Sequence, residues 1–174
     1  MHWTIEPPQK RKWCEVGKKA ISNMMTKRLD FSSISAIDNE GGRPFFVIFK
    51  GGVDAQSFNA FFKEVLSHYR EEKCVFFMDN APVHDKTELQ ECTAVSKQAI
   101  LFNAPYTPDL NPIEMFFARW KHDVENRIKD YPGDEAFFEL LKETVESLKK
   151  DEIKKLFRHT EDTVFPKVIQ KEDM

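Results

Sequence analysis

Residues 74–84 read CVFFMDNAPVH and residues 106–121 read YTPDLNPIEMFFARWK, and these two segments decide the fold. Asp79 closes the apolar run of the first segment, and Glu114 follows the Asn-Pro pair of the second, with 34 residues between the two acids. The first pattern predicts a carboxylate at the end of a strand, and the second predicts one in the first turn of a helix. Two such carboxylates can share a divalent metal ion.

The strand prediction rests on residues 74–78, an unbroken apolar and aromatic run that is too short for a helix. We expect a central strand that is buried on both faces. Asp79 then lies at the edge where open α/β sheets place their ligands. The structural alternative is an Asx-turn residue that ends the strand and bonds to the backbone of the turn.

The helix prediction rests on Asn111 as N-cap and Pro112 at the first helical position, which puts Glu114 at the third. Apolar residues then recur at helical spacing, namely Ile113, Phe116, Phe117, Trp120 and Val124. The structural alternative is a capping box, in which the Glu114 side chain only accepts a hydrogen bond from the Asn111 amide.

The length of 174 residues, with 41% hydrophobic and 13% aromatic content, predicts one domain with a substantial core. The chain has no run of 18 apolar residues, and its first 17 residues are polar and basic. We therefore expect no membrane span and no secretory signal, and a soluble, intracellular protein that is nuclear if the source is eukaryotic. Three cysteines without a CxxC pair argue against a disulfide framework and a zinc ribbon.

The net charge is −3, but residues 1–28 carry seven basic residues against two acidic ones, or +5, so the remainder carries −8. Lys10, Arg11 and Lys12, with Trp3 and Trp13 nearby, are candidate contacts for a nucleic-acid backbone. A solvated basic face beside a strand is an equally weighted alternative.

The rest of the chain predicts alternating strands and helices. The expected elements are a β-hairpin over Phe31–Asp38 and Pro44–Lys50, a crossover helix over Asp54–Tyr69 with Asp54 as N-cap, a helix over Asp85–Ser96, a short strand over Ala99–Asn103, and C-terminal helices over Asp134–Lys149 and Asp151–Arg158. A stiff loop with Pro105, Pro108 and Pro112 leads into the Glu114 helix. This order predicts a three-layer α/β fold with a mixed sheet.

The motif MDNAPVH, followed after a short strand by YTPDLNPIE, resembles the catalytic domain of transposases in the mariner superfamily and their bacterial insertion-sequence relatives. The resemblance is strong over Asp79–Lys121 and weaker over Lys12–Tyr69. It implies a ribonuclease-H-like fold with an Asp, Asp, Glu triad, in which Asp79 matches the second Asp and Glu114 the final acid. The LNPIE segment argues against another ribonuclease-H-like nuclease such as a junction resolvase.

That family's chemistry implies two Mg²⁺ or Mn²⁺ ions held by Asp79 and Glu114, which assist attack by water or a DNA 3′ hydroxyl on a phosphodiester. The implied partner is DNA, transposon ends in the family, with a homodimer as a further expectation. Asn80, His84, Asn111 and Lys121 are candidates for contacts that support the metal ligands or touch DNA. His84 is also interpreted as an ordinary turn or helix-start residue.

The chain departs from the family pattern at its start. In the family the first catalytic Asp lies on a strand that precedes the residues matched by Trp13 and Gly17, and residues 1–8 contain no Asp. The comparison places the missing Asp just before Met1, so that residues 1–8 are the remnant of a truncated first strand in a single catalytic domain over residues 1–174, whose C-terminal helices occupy residues 134–174. The family's N-terminal helix-turn-helix region is also absent from the sequence.

Other acids near the start do not fill the gap. Asp30 and Asp38 are interpreted as capping and turn residues, and Glu6 follows the strand remnant. The first hypothesis is therefore a transposase-derived, metal-dependent endonuclease and strand-transfer domain that is incomplete and weakly active or inactive alone. The alternative hypothesis is a non-catalytic host module that keeps the fold for binding DNA or protein.

Overall fold

The structure is a computed structural model that describes residues 1–3, 30–94, 98–128 and 133–166. Its strands are β1 (His2–Trp3), β2 (Phe31–Ala36), β3 (Phe45–Lys50), β4 (Val75–Met78) and β5 (Ala99–Phe102). Its helices are α1 (Ala55–His68), α2 (Lys86–Thr93), α3 (Pro112–Arg127), α4 (Asp134–Glu146) and α5 (Lys150–His159), with a 3₁₀ turn at Pro108–Leu110 and a π-helical turn at Thr160–Val164. The predicted hairpin and the predicted order of helices and strands are confirmed.

The described strands form two sheets with different strand directions. Strands β1, β2 and β3 pair antiparallel in that order, and β4 pairs parallel with β5. The register pairs His2 with Ser32 and Ala36 with Phe45. The expectation that β4 is buried on both faces is wrong, because Val75 is 62% exposed and β5 is the strand to which β4 is bonded among the described residues. Val75 is the exposed residue of β4, and Phe76, Phe77 and Met78 are partly buried.

The alternating side chains of β3 show that helices cover both faces of the antiparallel sheet. Phe46 and Ile48 pack on a core that α3 and α4 complete, whereas Phe45, Val47 and Phe49 pack on a second core with α1. Because successive residues of a strand point to opposite faces, one short hairpin serves both cores. This arrangement is the predicted three-layer fold.

The core beside α3 and α4 anchors β1 although that strand has two residues. The rings of Trp3 and Trp120 meet edge to face with centroids 4.8 Å apart. The Trp120 Nε1 donates to the Leu141 carbonyl oxygen at 3.1 Å and to the Thr144 hydroxyl at 3.0 Å. A buried indole with a satisfied N–H is both a large apolar contact and a fixed orientation.

The turn of the β2–β3 hairpin is held by Asp38, as predicted for a turn residue. Its Oδ1 accepts a hydrogen bond from the Gly42 amide at 2.9 Å, and its Oδ2 accepts one from the Tyr69 hydroxyl at 2.7 Å. Asp38 is thus occupied in joining the hairpin to the end of α1.

Of the helices that the structure describes, none combines the length and the apolar composition that a membrane span needs.

Candidate metal and nucleic-acid site

A groove of about 340 Å³ lies between the edge of β2 and the edge of β4. Met1 and residues 33–37 line it on the β2 side, and β4 with the start of α3 lines it opposite. Asp79 and Glu114 both line this groove, as do His84 and Asn111. The fold therefore brings together four of the residues that the sequence marked as candidates.

Asp79 directly follows β4 and is half exposed, with 51% of its side chain accessible. Its Oδ1 accepts a hydrogen bond from the Ala81 amide at 3.2 Å and lies 3.2 Å from His84 Nδ1. The bond to Ala81 is the Asx-turn contact of the structural alternative. Among the described residues both contacts end on Oδ1, so this turn geometry is compatible with metal binding through Oδ2.

His84 holds Asp79 in place from within the same turn. Its Nδ1 lies 2.9 Å from the Asp79 carbonyl oxygen, and its ring packs on Phe58 with centroids 4.2 Å apart. The His84 amide also donates to the Ala81 carbonyl oxygen at 2.9 Å. These contacts make His84 a turn residue that also orients the candidate metal ligand.

Glu114 occupies the third position of α3, as predicted. Asn111 is the N-cap, and its Oδ1 accepts from the Ile113 amide at 3.3 Å. The Asn111 amide donates to the Pro108 carbonyl oxygen at 2.9 Å. The capping-box alternative is therefore not what the structure contains, because the amide that Glu114 would satisfy already has a partner.

The electrostatic environment of Glu114 shows that it shares a site with Asp79. Burial raises the pKa of Glu114, the negative charge of Asp79 raises it further, and the α-amino group of Met1 acts in the opposite direction. The same α-amino group has its pKa lowered by burial, with Glu114 and Asp79 opposing that effect. A cation between the two carboxylates would relieve their repulsion.

Two other predicted contacts lie away from the groove lining. The side-chain Nδ2 of Asn80 donates to the Asn103 carbonyl oxygen, and its Oδ1 accepts from Lys86 Nζ at 2.7 Å. Lys121 Nζ lies 3.8 Å from Glu125 on the exposed side of α3. The candidate phosphate contacts Lys10, Arg11 and Lys12 fall outside the described residues.

Asn103 lies outside the groove lining but supports the loop before α3, and the sequence did not single it out. It follows β5, is 6% exposed, and its amide nitrogen donates to the Met78 carbonyl oxygen at 2.7 Å. Its Nδ2 donates to the Thr107 carbonyl oxygen at 2.7 Å, and the Thr107 hydroxyl lies 3.1 Å from its Oδ1. Together with the Asn80 bond, these contacts tie the end of β4 to the loop that leads into α3. The available signal was an Asn at a strand end, four residues before a Thr.

The two carboxylates have the chemistry that suits a hard divalent cation. They are, however, only two candidate ligands among the described residues. In the parts of the chain that the structure describes, no group of three or more His, Cys, Asp or Glu side chains is placed to hold a metal ion. Carboxylate oxygens are the ligands that Mg²⁺ and Mn²⁺ prefer. Asp79 and Glu114 are the residues that would hold such an ion.

Comparisons with known proteins identify the fold. The chain is similar to the Mos1 transposase in its paired-end complex with the left transposon end, with 20% identity and a TM-score of 0.69, over 90% of this chain and 48% of that one. It is similar to the Mos1 mariner paired-end complex with Mn, with 19% identity and a TM-score of 0.70, over 91% of this chain and 49% of that one. The catalytic domain of Mos1 mariner transposase gives 18% identity and a TM-score of 0.58, over 74% of this chain and 67% of that one. These likenesses confirm the predicted ribonuclease-H-like fold.

The chain spans about half the length of the Mos1 chains in those complexes. No curated sequence matches it. The family of DDE superfamily endonucleases matches residues 2–133, which is most of the chain and includes both candidate carboxylates. With that match and the site geometry, the predicted family is confirmed, and the chain belongs to the DDE superfamily endonucleases.

Proposed function

We propose that this chain is the catalytic domain of a transposase and that Asp79 and Glu114 hold the divalent ions for DNA cleavage and strand transfer. The observation that carries the proposal is that β4 and α3 deliver these two carboxylates to one groove, where burial, and after it the charge of Asp79, raises the pKa of Glu114. The family match and the likeness to Mos1 complexes with transposon DNA and with Mn support it.

The residues of this chain contribute positioning and charge. Divalent ions, when bound, activate the attacking oxygen and stabilise the leaving oxygen of an in-line displacement at phosphorus. Asp79, oriented by His84, and Glu114, fixed by the Asn111 cap, supply the negative oxygens. The ligands lie at the ends of regular elements, which holds them more rigidly than a loop would.

The β1–β2 register supports a proposal for where a third carboxylate, expected from the sequence before Met1, would lie. Met1 exchanges backbone hydrogen bonds with Ser33, at 2.7 and 2.8 Å, and its side chain packs on the α3 side of the sheet. Side chains alternate, so a residue two positions before Met1 would lie opposite Ser35 on the side that carries Glu114. The Ser35 hydroxyl, in the groove lining, is buried without a hydrogen-bond partner among the described residues. We propose that this position holds the third ligand.

The test uses Mn²⁺-dependent nicking of supercoiled plasmid by the chain and by variants extended before Met1 with Asp-Ala, Asn-Ala or Ala-Asp. We expect little or no nicking by the chain alone and a gain with Asp-Ala, because only that extension puts a carboxylate on the Glu114 side. The gain should disappear in Asp79→Ala and in Glu114→Ala. The Asn-Ala extension is the matched control for strand length, and Ala-Asp is the control for the side that the carboxylate faces.

Two outcomes would contradict the proposal in different ways. Robust nicking by the unextended chain, lost in Asp79→Ala and Glu114→Ala, would overturn the need for a third carboxylate. No Mn²⁺ binding by any extended form in calorimetric titration would overturn the metal site. The alternative of a non-catalytic module that binds DNA or protein would then remain.

A further inference from the structure

Tyr106 combines two properties that rarely occur together. Its side chain is fully exposed, at 101% of the reference accessibility. Its backbone φ is +62°, in the left-handed region, and it is the non-glycine residue with this property among the described residues. A bulky L-residue is strained in that region, and an exposed side chain gains no packing to offset the strain. Strain that persists without a packing benefit points to a function for the side chain.

The loop around Tyr106 is built to hold this conformation. Pro105 and Tyr106 are the central residues of a turn that the Thr107 hydroxyl closes by donating to the Ala104 carbonyl oxygen at 2.7 Å. A positive φ at the second central position normally selects Gly or Asn. The Nδ2 of the buried Asn103 side chain donates to the Thr107 carbonyl oxygen at 2.7 Å. The hydrogen bonds between Asn103 and Thr107 thus hold a tyrosine at a position where glycine is normally favoured.

The same loop connects to both candidate metal ligands. Asn80, the neighbour of Asp79, donates to the Asn103 carbonyl oxygen. In the other direction the Leu110 amide donates to the Thr107 carbonyl oxygen at 3.2 Å, just before the Asn111 cap of the Glu114 helix. Tyr106 is therefore held rigidly on the segment that joins the two carboxylates.

A cation accompanies the tyrosine at this edge. Lys86 Nζ lies 4.6 Å from the centroid of the Phe102 ring and 2.7 Å from Asn80 Oδ1. Both contacts leave an ammonium group beside the end of β5, immediately before the Tyr106 loop. Exposed aromatic rings and cations are the groups that bind single-stranded nucleic acid, since a ring stacks on a base and a cation attracts the phosphate.

We propose that Tyr106 stacks on an unpaired base of the DNA strand that is bound at the Asp79 and Glu114 site, with Lys86 near its phosphate. This inference rests on the proposed function, which supplies the DNA strand. Stacking tolerates any base because every base has a π-face. Tyr106 therefore holds the end of a strand near the metal ligands without reading its sequence.

The test measures binding of a fluorescein-labelled oligo-deoxythymidine by anisotropy, in Ca²⁺ so that no cleavage occurs. Tyr106→Asn should weaken binding about 5- to 150-fold, the range for loss of one stacked base. Tyr106→Phe and Tyr106→Trp should bind as the parent chain does. Phe138→Ala, at a half-exposed aromatic residue on α4, is the matched control and should also bind normally.

Two further measurements separate stacking from a structural role. Tyr106→Asn should raise the melting temperature, because Asn tolerates the left-handed conformation better than Tyr. An oligonucleotide with abasic sites should bind the parent chain and Tyr106→Asn equally, because no base remains to stack. A merely structural tyrosine would give a lower melting temperature and a binding loss that persists on the abasic strand.

The outcomes for this inference differ from those for the proposed function. Equal affinity of Tyr106→Asn and the parent chain for oligo-deoxythymidine would overturn stacking even if the Asp-Ala extension nicks plasmid. Base-dependent weakening in Tyr106→Asn would support stacking even if no extended form nicks. Failure of the parent chain to bind any oligonucleotide would overturn the inference.

Discussion

The two regions that flank β2 differ in how completely they are packed. On the α3 and α4 side, Trp120, Phe137 and Leu141 have no exposed surface and the indole N–H groups are satisfied. On the side toward β4, a groove contains two carboxylates that repel each other. The difference teaches that one region holds the fold, while the other accepts an unfavourable charge pair, which is where we propose that a cation binds.

The division also explains how the chain tolerates like charges in its site. Burial of large aromatic side chains stabilises a domain by several kcal/mol each, about 3–5 kcal/mol by truncation. A partly exposed charge pair costs much less, because solvent screens it. The stabilisation from the packed region can therefore offset the cost of the charge pair in the groove. Substitutions in the two regions should differ in the size and in the pH dependence of their effects.

The largest expected effect comes from breaking the packed region. Trp120→Ala should lower the free energy of unfolding by about 3–5 kcal/mol, because it leaves a cavity and removes two hydrogen bonds. Urea denaturation followed by circular dichroism measures it. Phe138→Ala, at a 36% exposed site, should cost far less. Similar losses for both variants would show that the Trp3 and Trp120 contact is not the centre of stability.

A smaller effect is expected at the bonds by which Asn103 ties the ends of β4 and β5 to the loop before α3. Asn103→Ala should cost about 1–3 kcal/mol, because the Thr107 hydroxyl loses a buried partner and the loop loses a bond. It should also weaken Mn²⁺ binding of the Asp-Ala extended chain, because Asp79 and Glu114 are then less firmly placed. Denaturation and calorimetric titration measure the two effects.

Thr107 variants provide the control for that interpretation. Thr107→Ser keeps the hydroxyl and should bind Mn²⁺ as the parent does, whereas Thr107→Val should resemble Asn103→Ala. If both Thr107 variants bind Mn²⁺ equally well, the loop bonds do not position the carboxylates.

The charge pair itself should show a pH-dependent effect on stability. Because the folded-state pKa of Glu114 is raised above its ordinary value of 4.5, protonation favours the folded state. Its contribution to stability is fully present below pH 4.5 and is lost as the pH rises through the raised pKa. Glu114→Gln, which stays neutral, should therefore melt at a higher temperature than the parent chain at neutral pH.

Thermal melts across the pH range provide the measurement. The gap between Glu114→Gln and the parent chain should close below pH 4.5, where both side chains are neutral. A gap of the same size at every pH would mean that packing, and not the charge of Glu114, causes the difference.

The smallest stability effect is expected on the exposed side of α3. Lys121→Ala removes an i,i+4 pair with Glu125 at 3.8 Å and should change the free energy of unfolding by about 0.2–0.5 kcal/mol. If Lys121 contacts DNA as predicted, the same variant should weaken binding to plasmid and flatten its salt dependence. Lys142→Ala on α4 is the control. Equal DNA binding by both variants would remove Lys121 from the DNA contacts.

Local patterns made most of the secondary structure predictable. The Asn111 and Pro112 start of α3, the Asp54 cap of α1 and the alternation of β3 each depend on neighbours within one or two turns. The position of Asp79 after a strand and of Glu114 at the third helical position follow from the same short patterns. The sequence by itself thus determined which elements carry the two carboxylates.

Long-range contacts decided the rest, because they depend on which surfaces meet. The sequence could not show that Val75 of β4 is exposed, since an apolar run reads alike in a central and an edge strand. It could not show that Asn103 ties β5 to the Glu114 loop, or that Tyr106 is held at a positive φ. Only the tertiary structure placed Asp79 and Glu114 in one groove, where burial, and after it the charge of Asp79, raises the pKa of Glu114.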